Sequence, residues 1–170
     1  ELALSQDTES NSTATQIRFQ LRDGGVENRV YCRGEAALGD LQALPQLDIP
    51  ALQAECSAEA IKSDRFYASF HAMGIEFGPS HQGLEHAYLG EGQVLARLAL
   101  PEQILEQSGD FVLHPGILDS ALQAAIALHL GADEDWPGDA GAQDSNFSLP
   151  IPFALESMDI LAGSPSSCWA

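Results

Sequence analysis

Positive charge is what this chain has least of. Its 170 residues hold 7 Lys and Arg against 25 Asp and Glu, a formal net charge of −18. Such a surface has nothing with which to neutralise phosphates, which excludes a nucleic-acid partner and an anionic membrane surface alike. The acidity reads as solubility. Cysteine is scarce as well. Cys32, Cys56 and Cys168 are odd in number, far apart and without a CxxC pair. They read as free thiols of a reducing, cytoplasmic compartment, not as a disulfide frame or a zinc site. No apolar run approaches the roughly 20 residues that span a bilayer, and no basic-then-apolar leader opens the chain. No histidine pair has HExxH spacing, and Gly24-Gly25 and Gly90-Glu91-Gly92 are hairpin glycines outside any strand–GxGxxG–helix unit. Neither a metal nor a dinucleotide is expected. There is no solenoid-period repeat, and the length suits one domain with a real core.

What is there centres on Phe111–Leu128. Pro115 suits a first helical turn, where its missing N–H is not needed. From Ile117 the pattern is apolar nearly all round, which predicts a buried helix from about Pro115 to Leu130. Asp119 and Gln123 interrupt it four residues apart, one turn along the same face. Burial would push the Asp119 pKa up and keep it protonated, ready to donate. Spacing alone equally allows a structural Asp bonded to backbone or to Gln123.

The rest of the chain falls into place around that helix. Residues 1–15 are polar and aperiodic, a linker or frayed start. Gln16–Leu21 alternates as a half-buried strand, Asp23-Gly24-Gly25 turns, and Val26–Gly34 returns as a hairpin arm. Residues 36–54 carry Pro45 and Pro50 and read as an extended linker, so 16–54 is hairpin plus linker. Ser57 or Ser63 caps a helix to about Met73, with Phe66, Phe70 and Met73 as its core stripe and Gly74 after its end. Leu84–Leu89 and Gln93–Leu100 are strands, and 131–148 is an acidic, Gly-rich mobile loop. Phe153–Leu161 is a further strand candidate, after Pro150 and Pro152, and another opens at Cys168. One long helix with antiparallel strands before and after it predicts an α+β fold with a sheet around the helix.

Three segments carry a resemblance. His114-Pro115-Gly116-Ile117-Leu118-Asp119-Ser120-Ala121-Leu122-Gln123 resembles the HPxxxDxxxQ motif of dehydratase domains in modular polyketide synthases. Gly74-Ile75-Glu76-Phe77-Gly78-Pro79-Ser80-His81-Gln82-Gly83-Leu84 resembles the family's GxxYGPxFQGL segment, with Phe77 where Tyr is usual. Ile151-Pro152-Phe153-Ala154-Leu155 resembles its LPFxW-like segment. His81, where many members have Phe, resembles the versions served by a free-standing acyltransferase.

The resemblance implies a hot-dog fold, an antiparallel sheet wrapped around a long buried helix. It implies that residues 55–170 are the second, C-terminal half of a double hot dog, incomplete at its C-terminus. It implies dehydration of a 3-hydroxyacyl chain, with Asp119 as general acid and Gln123 holding it. Phe77, Gly78, Pro79, His81, His114, Pro115, Pro152 and Phe153 would line the substrate, although His114, just before a helix, reads first as a partner of backbone groups. The family's base is the His of an HxxxGxxxxP motif. None of the five histidines begins one, so the base is expected in an N-terminal hot dog upstream. No cofactor is implied, the substrate riding on the phosphopantetheine arm of an acyl carrier protein, and homodimerisation within a synthase is expected. Two other readings stand: a non-catalytic acyl-binding or dimerisation module, and a related cyclase or double-bond isomerase.

Overall fold

A computed structural model of the chain describes residues 2–6, 15–25, 27–39, 46–56, 59–130, 136, 137, 139 and 152–170. They form two compact units, Glu1–Pro45 and Gln46–Ala170.

The first unit is an antiparallel sheet of order β1-β2-β3, with β1 at Leu2–Gln6, β2 at Thr15–Arg22 and β3 at Val30–Leu38. β1 corrects the reading of the opening residues as a linker. Its register sets Leu2 opposite Leu21 and Leu4 opposite Phe19; a five-residue strand takes its hydrogen bonds from a neighbour, which a local window does not contain. The hairpin β2–β3 is as expected, but its turn is built differently. Asn28, not Gly24 or Gly25, adopts a positive φ of 47°, and the Asp23 carboxylate accepts from the Arg29 N–H at 3.0 Å. Phe19 lies across its strand partner Gly34, where an added Cβ would stand 2.5 Å from the ring, so the aromatic covers the bare strand backbone.

The second unit begins with α1, Ile49–Ala54, inside the expected linker. Asp48 caps it, accepting from the Ala51 N–H at 3.1 Å, and Pro50 sits in the first turn, where it breaks no bond. The prolines that argued for extended chain therefore mark a helix start. α2, Ser63–Ala72, follows directly on the two-residue strand β4, Ile61–Lys62. Lys62 occupies the cap position and makes no side-chain cap bond, so Ser63 is not the cap; Ser57 lies outside the described residues. Phe66 and Phe70 enter the core, with Met73 packed against it. The end of α2 is closed as the sequence suggests. Gly74 has φ +82°, Ile75 N–H reaches the Phe70 carbonyl at 2.9 Å, and Gly74 N–H reaches that of His71 at 3.0 Å.

β5, Leu84–Gly90, and β6, Gln93–Ala99, form a tight hairpin, and β7, Ser167–Trp169, completes an antiparallel sheet of order β4-β5-β6-β7. Leu84, Ala87, Leu89, Ala96 and Leu98 turn to the core. α3, Pro115–Ala125, lies on β5 and β6 with Ile117, Ser120, Gln123 and Ala124 buried. Gly83 permits that approach, because a Cβ there would stand 2.5 Å from Ser120 Oγ and 2.8 Å from the Ala99 carbonyl.

Three expectations for this unit are corrected. The helix does not run unbroken to Leu130: α3 ends at Ala125 and a four-residue α4, Ala127–Leu130, follows a turn at Ile126. Nor is it buried all round. The side facing the sheet is covered, whereas Leu118, Leu122 and Leu128 are exposed, so the apolar pattern marks two faces of which the described residues cover one. Finally, 152–161 forms no strand. Phe153 is 101% exposed; among the described residues no strand pairs with this apolar run, and a strand needs a partner. The expected loop at 131–148 lies largely outside the described residues, but Trp136 within it is fully buried, edge-on to Phe66 at 4.9 Å and beneath the Arg65 guanidinium at 4.8 Å.

Candidate active site

The site is assembled at the start of α3, where the sheet, α2 and the Pro79–His81 turn converge. His114 precedes the helix and caps it, Nδ1 accepting from the Gly116 N–H at 3.0 Å. Its own N–H donates to Ser164 Oγ at 2.8 Å, and Phe111 meets the ring edge-on at 5.0 Å. The expected bonding to backbone is therefore met. An accepting Nδ1 places the ring proton on Nε2, which is buried and has no partner among the described residues. Pro115 takes the first helical position. One turn on, Ser120 Oγ donates to the Gly116 carbonyl at 2.8 Å.

Asp119 and Gln123 meet as their spacing predicts. Gln123 Nε2 donates to Asp119 Oδ2 at 2.8 Å and to the His81 carbonyl at 3.0 Å. Gln123 Oε1 accepts from the Tyr67 hydroxyl at 2.9 Å, and that hydroxyl accepts from the Leu84 N–H at 3.2 Å. The amide is thus bonded at both ends, in a setting where Gln123 is 3% exposed. Tyr67 was not legible as a site residue. It stands beside the Phe66–Phe70 stripe of α2, and its partner is 56 residues away. Burial pushes its phenol up to about 12, the Leu84 N–H opposing and the Asp119 charge adding, so it remains a donor at every working pH.

Asp119 itself is not as deep as the sequence suggests. Its side chain is 41% exposed, on a helix face whose Leu118 and Leu122 are also exposed. Oδ2 is held by Gln123 and lies 3.7 Å from His81 Nδ1. Among the described residues Oδ1 takes no hydrogen bond. The arrangement can therefore hold one carboxyl oxygen in place on a side chain that is still part-exposed, and a proton donor must be both positioned and reachable by the substrate hydroxyl.

The other residues expected to line a substrate are placed unequally. His81 is brought to Asp119 with its side chain 61% exposed. Phe77 is half-buried and packs edge-on against Phe70 at 5.0 Å and Tyr67 at 6.0 Å. Gly78 and Pro79 shape the turn, the Gly78 carbonyl accepting from the His81 N–H at 2.8 Å. Pro152 and Phe153 are exposed and make no ring contact with this group. Among the described residues no three His, Cys, Asp or Glu side chains cluster as a metal site would require, and no helix is long and apolar enough to cross a membrane.

Comparison with known proteins gives consistent matches. A family model described as the polyketide synthase dehydratase N-terminal domain matches residues 45–170. The chain is 35% identical over 156 residues to polyketide synthase PksN of Bacillus subtilis (strain 168), covering 91% of this chain and 3% of that synthase. Among solved structures, a trans-AT polyketide synthase dehydratase domain from Brevibacillus brevis matches at 35% identity with a TM-score of 0.64, over 74% of this chain and 47% of that one. The dehydratase domain from the CurK module of the curacin synthase matches at 27% identity with a TM-score of 0.62, over 76% of this chain and 47% of that one. The chain thus spans about half the length of those solved dehydratase domains and a small part of the synthase.

Proposed function

This chain belongs to the polyketide synthase dehydratase family, and from that premise we propose that it supplies the acid half of a hydro-lyase active site acting on a 3-hydroxyacyl chain carried by an acyl carrier protein. In this reading a His base from the preceding hot dog takes the C2 proton. The electrons form the C2–C3 double bond, the C3–O bond breaks, and Asp119 delivers the proton that lets the hydroxyl leave as water. Gln123 keeps the carboxyl in place, and His81 borders the approach to it. No cofactor has a part in this chemistry.

The observation that carries the reading is the Asp119–Gln123 pair, in which a buried amide holds one oxygen of a part-exposed carboxylate at 2.8 Å. Two solved relatives support it: an Asp-to-Asn and a His-to-Phe variant of the CurK dehydratase, each described as an inactive mutant. The family model's description names the N-terminal domain, whereas the motifs here favour the second hot dog. We weight the motifs, because the chain carries the Asp and Gln of the helix and no HxxxGxxxxP histidine.

The test is Asp119→Asn in the complete dehydratase domain that contains this chain. The change keeps size and hydrogen bonding but removes the transferable proton. A loss of at least about 10²-fold in alkene formation, with folding retained, is expected of a general acid. Near-normal turnover in the folded variant would move the proton donor elsewhere and leave Asp119 a structural residue.

A further inference from the structure

The geometry points to Tyr67 as a positioning residue for the acid, acting through the Gln123 amide; this inference rests on the reading of Asp119 above. Count the protons along the chain of bonds. The Leu84 N–H can only donate, so it occupies an acceptor site on the Tyr67 oxygen. The phenol's single proton is left for Gln123 Oε1, which can only accept. With Oε1 so engaged, the amide must turn its NH₂ to the other side. There its two hydrogens meet two acceptors, Asp119 Oδ2 and the His81 carbonyl. Every polar atom of the buried Gln123 side chain is thereby satisfied, in one orientation only. The order of donation runs from the first residue of β5, through a side chain of α2, to the carboxylate on α3.

The mechanical consequence is that the carboxyl is tied to the sheet and not merely to its own helix. Tyr67 lies on the helix before the Phe77-Gly78-Pro79 segment, with its ring against Phe70 at 6.1 Å and Phe77 at 6.0 Å. Those contacts fix the ring while the hydroxyl does the orienting. The phenol does not ionise in the working range, being pushed up to about 12, so it moves no proton to substrate. Its role is to keep Gln123 from rotating, and thus to hold Oδ2 in place. A wandering acid loses the near-attack alignment on which transfer depends.

The experiment is a double-mutant cycle in the complete dehydratase domain, measuring kcat and KM for water loss from a 3-hydroxybutyryl chain on its carrier protein. Tyr67→Phe keeps the ring contacts and deletes the hydroxyl. A fall in kcat of about tenfold is expected, the rate equivalent of one lost hydrogen bond, with KM little changed. Gln123→Ala is expected to cost at least as much, and the double variant no more than Gln123→Ala alone, because Tyr67 acts only through that amide. A merely structural role would give losses that multiply, and an unchanged kcat in Tyr67→Phe, or multiplying losses, overturns the inference. Because Tyr67→Phe also strands the Leu84 N–H, its folding is checked by thermal melting. If it does not fold, 4-aminophenylalanine at position 67 replaces it: an N–H donor there is expected to keep kcat near the parent value, and a folded variant slowed tenfold or more overturns the inference. Asp119→Asn measured beside them separates the two claims. If it turns over normally the acid assignment fails; if it is dead while Tyr67→Phe runs at full rate, only the positioning of the acid by Tyr67 fails.

Discussion

Gln123 and Asp119, one helical turn apart, share a hydrogen bond of 2.8 Å in which the buried amide holds a half-exposed carboxylate. The difference in burial assigns the roles. The amide is locked by three partners, while the acid's side chain is still 41% exposed.

It follows that the two positions respond differently to substitution. Asp119→Asn is expected to abolish proton donation, a loss of at least about 10²-fold. Gln123→Ala leaves the acid in place and removes its orientation, so its activity loss is the smaller. Its stability loss is the larger, because it strands the Tyr67 hydroxyl and the His81 carbonyl; an unsatisfied buried polar group costs about 1–3 kcal/mol. Turnover and urea unfolding of both variants check this inverse ordering, and a Gln123→Ala protein as stable as the parent would contradict the described network.

Gly83 is expected to tolerate nothing larger. A Cβ there meets Ser120 Oγ at 2.5 Å and the Ala99 carbonyl at 2.8 Å, and neither can yield, since Ser120 is fully buried and bonded to its own helix. Gly83→Ala must push α3 off the sheet or displace the strand. Overpacking of this kind costs about 1–3 kcal/mol, read as a lowered denaturant midpoint. Gly109, where an added Cβ would meet nothing within 4 Å, is the control, and Gly109→Ala is expected to change stability little.

Asp139 gives the fold an acid sensitivity at a defined place. Its carboxylate takes the Arg65 guanidinium at 2.7 Å and the Trp136 N–H at 3.0 Å. The Arg65 hydrogen bond is foremost in holding its pKa below the ordinary 3.8, against the opposing effect of desolvation. A carboxyl depressed on folding contributes stability that is present above its unfolded pKa and lost as pH falls through the folded one. Asp139→Asn is therefore expected to be less stable than the parent at neutral pH, and the two converge only in acid below pH 3.8, as pH falls through the depressed folded pKa and Asp139 takes up its proton. Melting temperatures across pH 2–7 check it; parallel curves would place the acid sensitivity elsewhere.

Much of this arrangement is legible in the residues themselves. The i, i+4 spacing of Asp119 and Gln123 fixes their face, Pro115 and His114 mark the helix start, Gly74 marks the end of α2, and the alternation of Gln93–Leu100 gives β6 nearly to the residue. What escapes is whatever depends on a distant partner. Tyr67 looks like one more core aromatic until α3 is laid beside it. Trp136 sits in an acidic, Gly-rich stretch, yet packs on Phe66, far earlier in the chain. Leu2–Gln6 becomes a strand only because β2 accepts it, and Phe153–Leu161, with a more apolar pattern, stays irregular with no partner strand among the described residues. The breadth of the apolar helix is the subtler case: residues with no polar side suggest burial everywhere, but they report what the helix can pack against and not what the described residues lay against it.

That exposed side is expected to drive association. Leu118, Leu122 and Leu128 on the helix pair, with Phe111 and Val112 before it, are exposed large apolar side chains. They cluster in sequence around the one helix that bears the site, and contiguous patches of this kind drive association. The isolated chain is expected to self-associate in sedimentation velocity at micromolar concentration. Leu118→Glu with Leu122→Glu should return it toward monomer, without loss of helix signal, because neither residue touches the sheet side of α3. The net charge of −18 opposes association at long range, so the effect should strengthen as salt screens that repulsion. A parent chain that sediments as a monomer from low to high salt would mean that the open face is tolerated by solvent, and the case for a covering half at this face would rest on the sequence motifs alone.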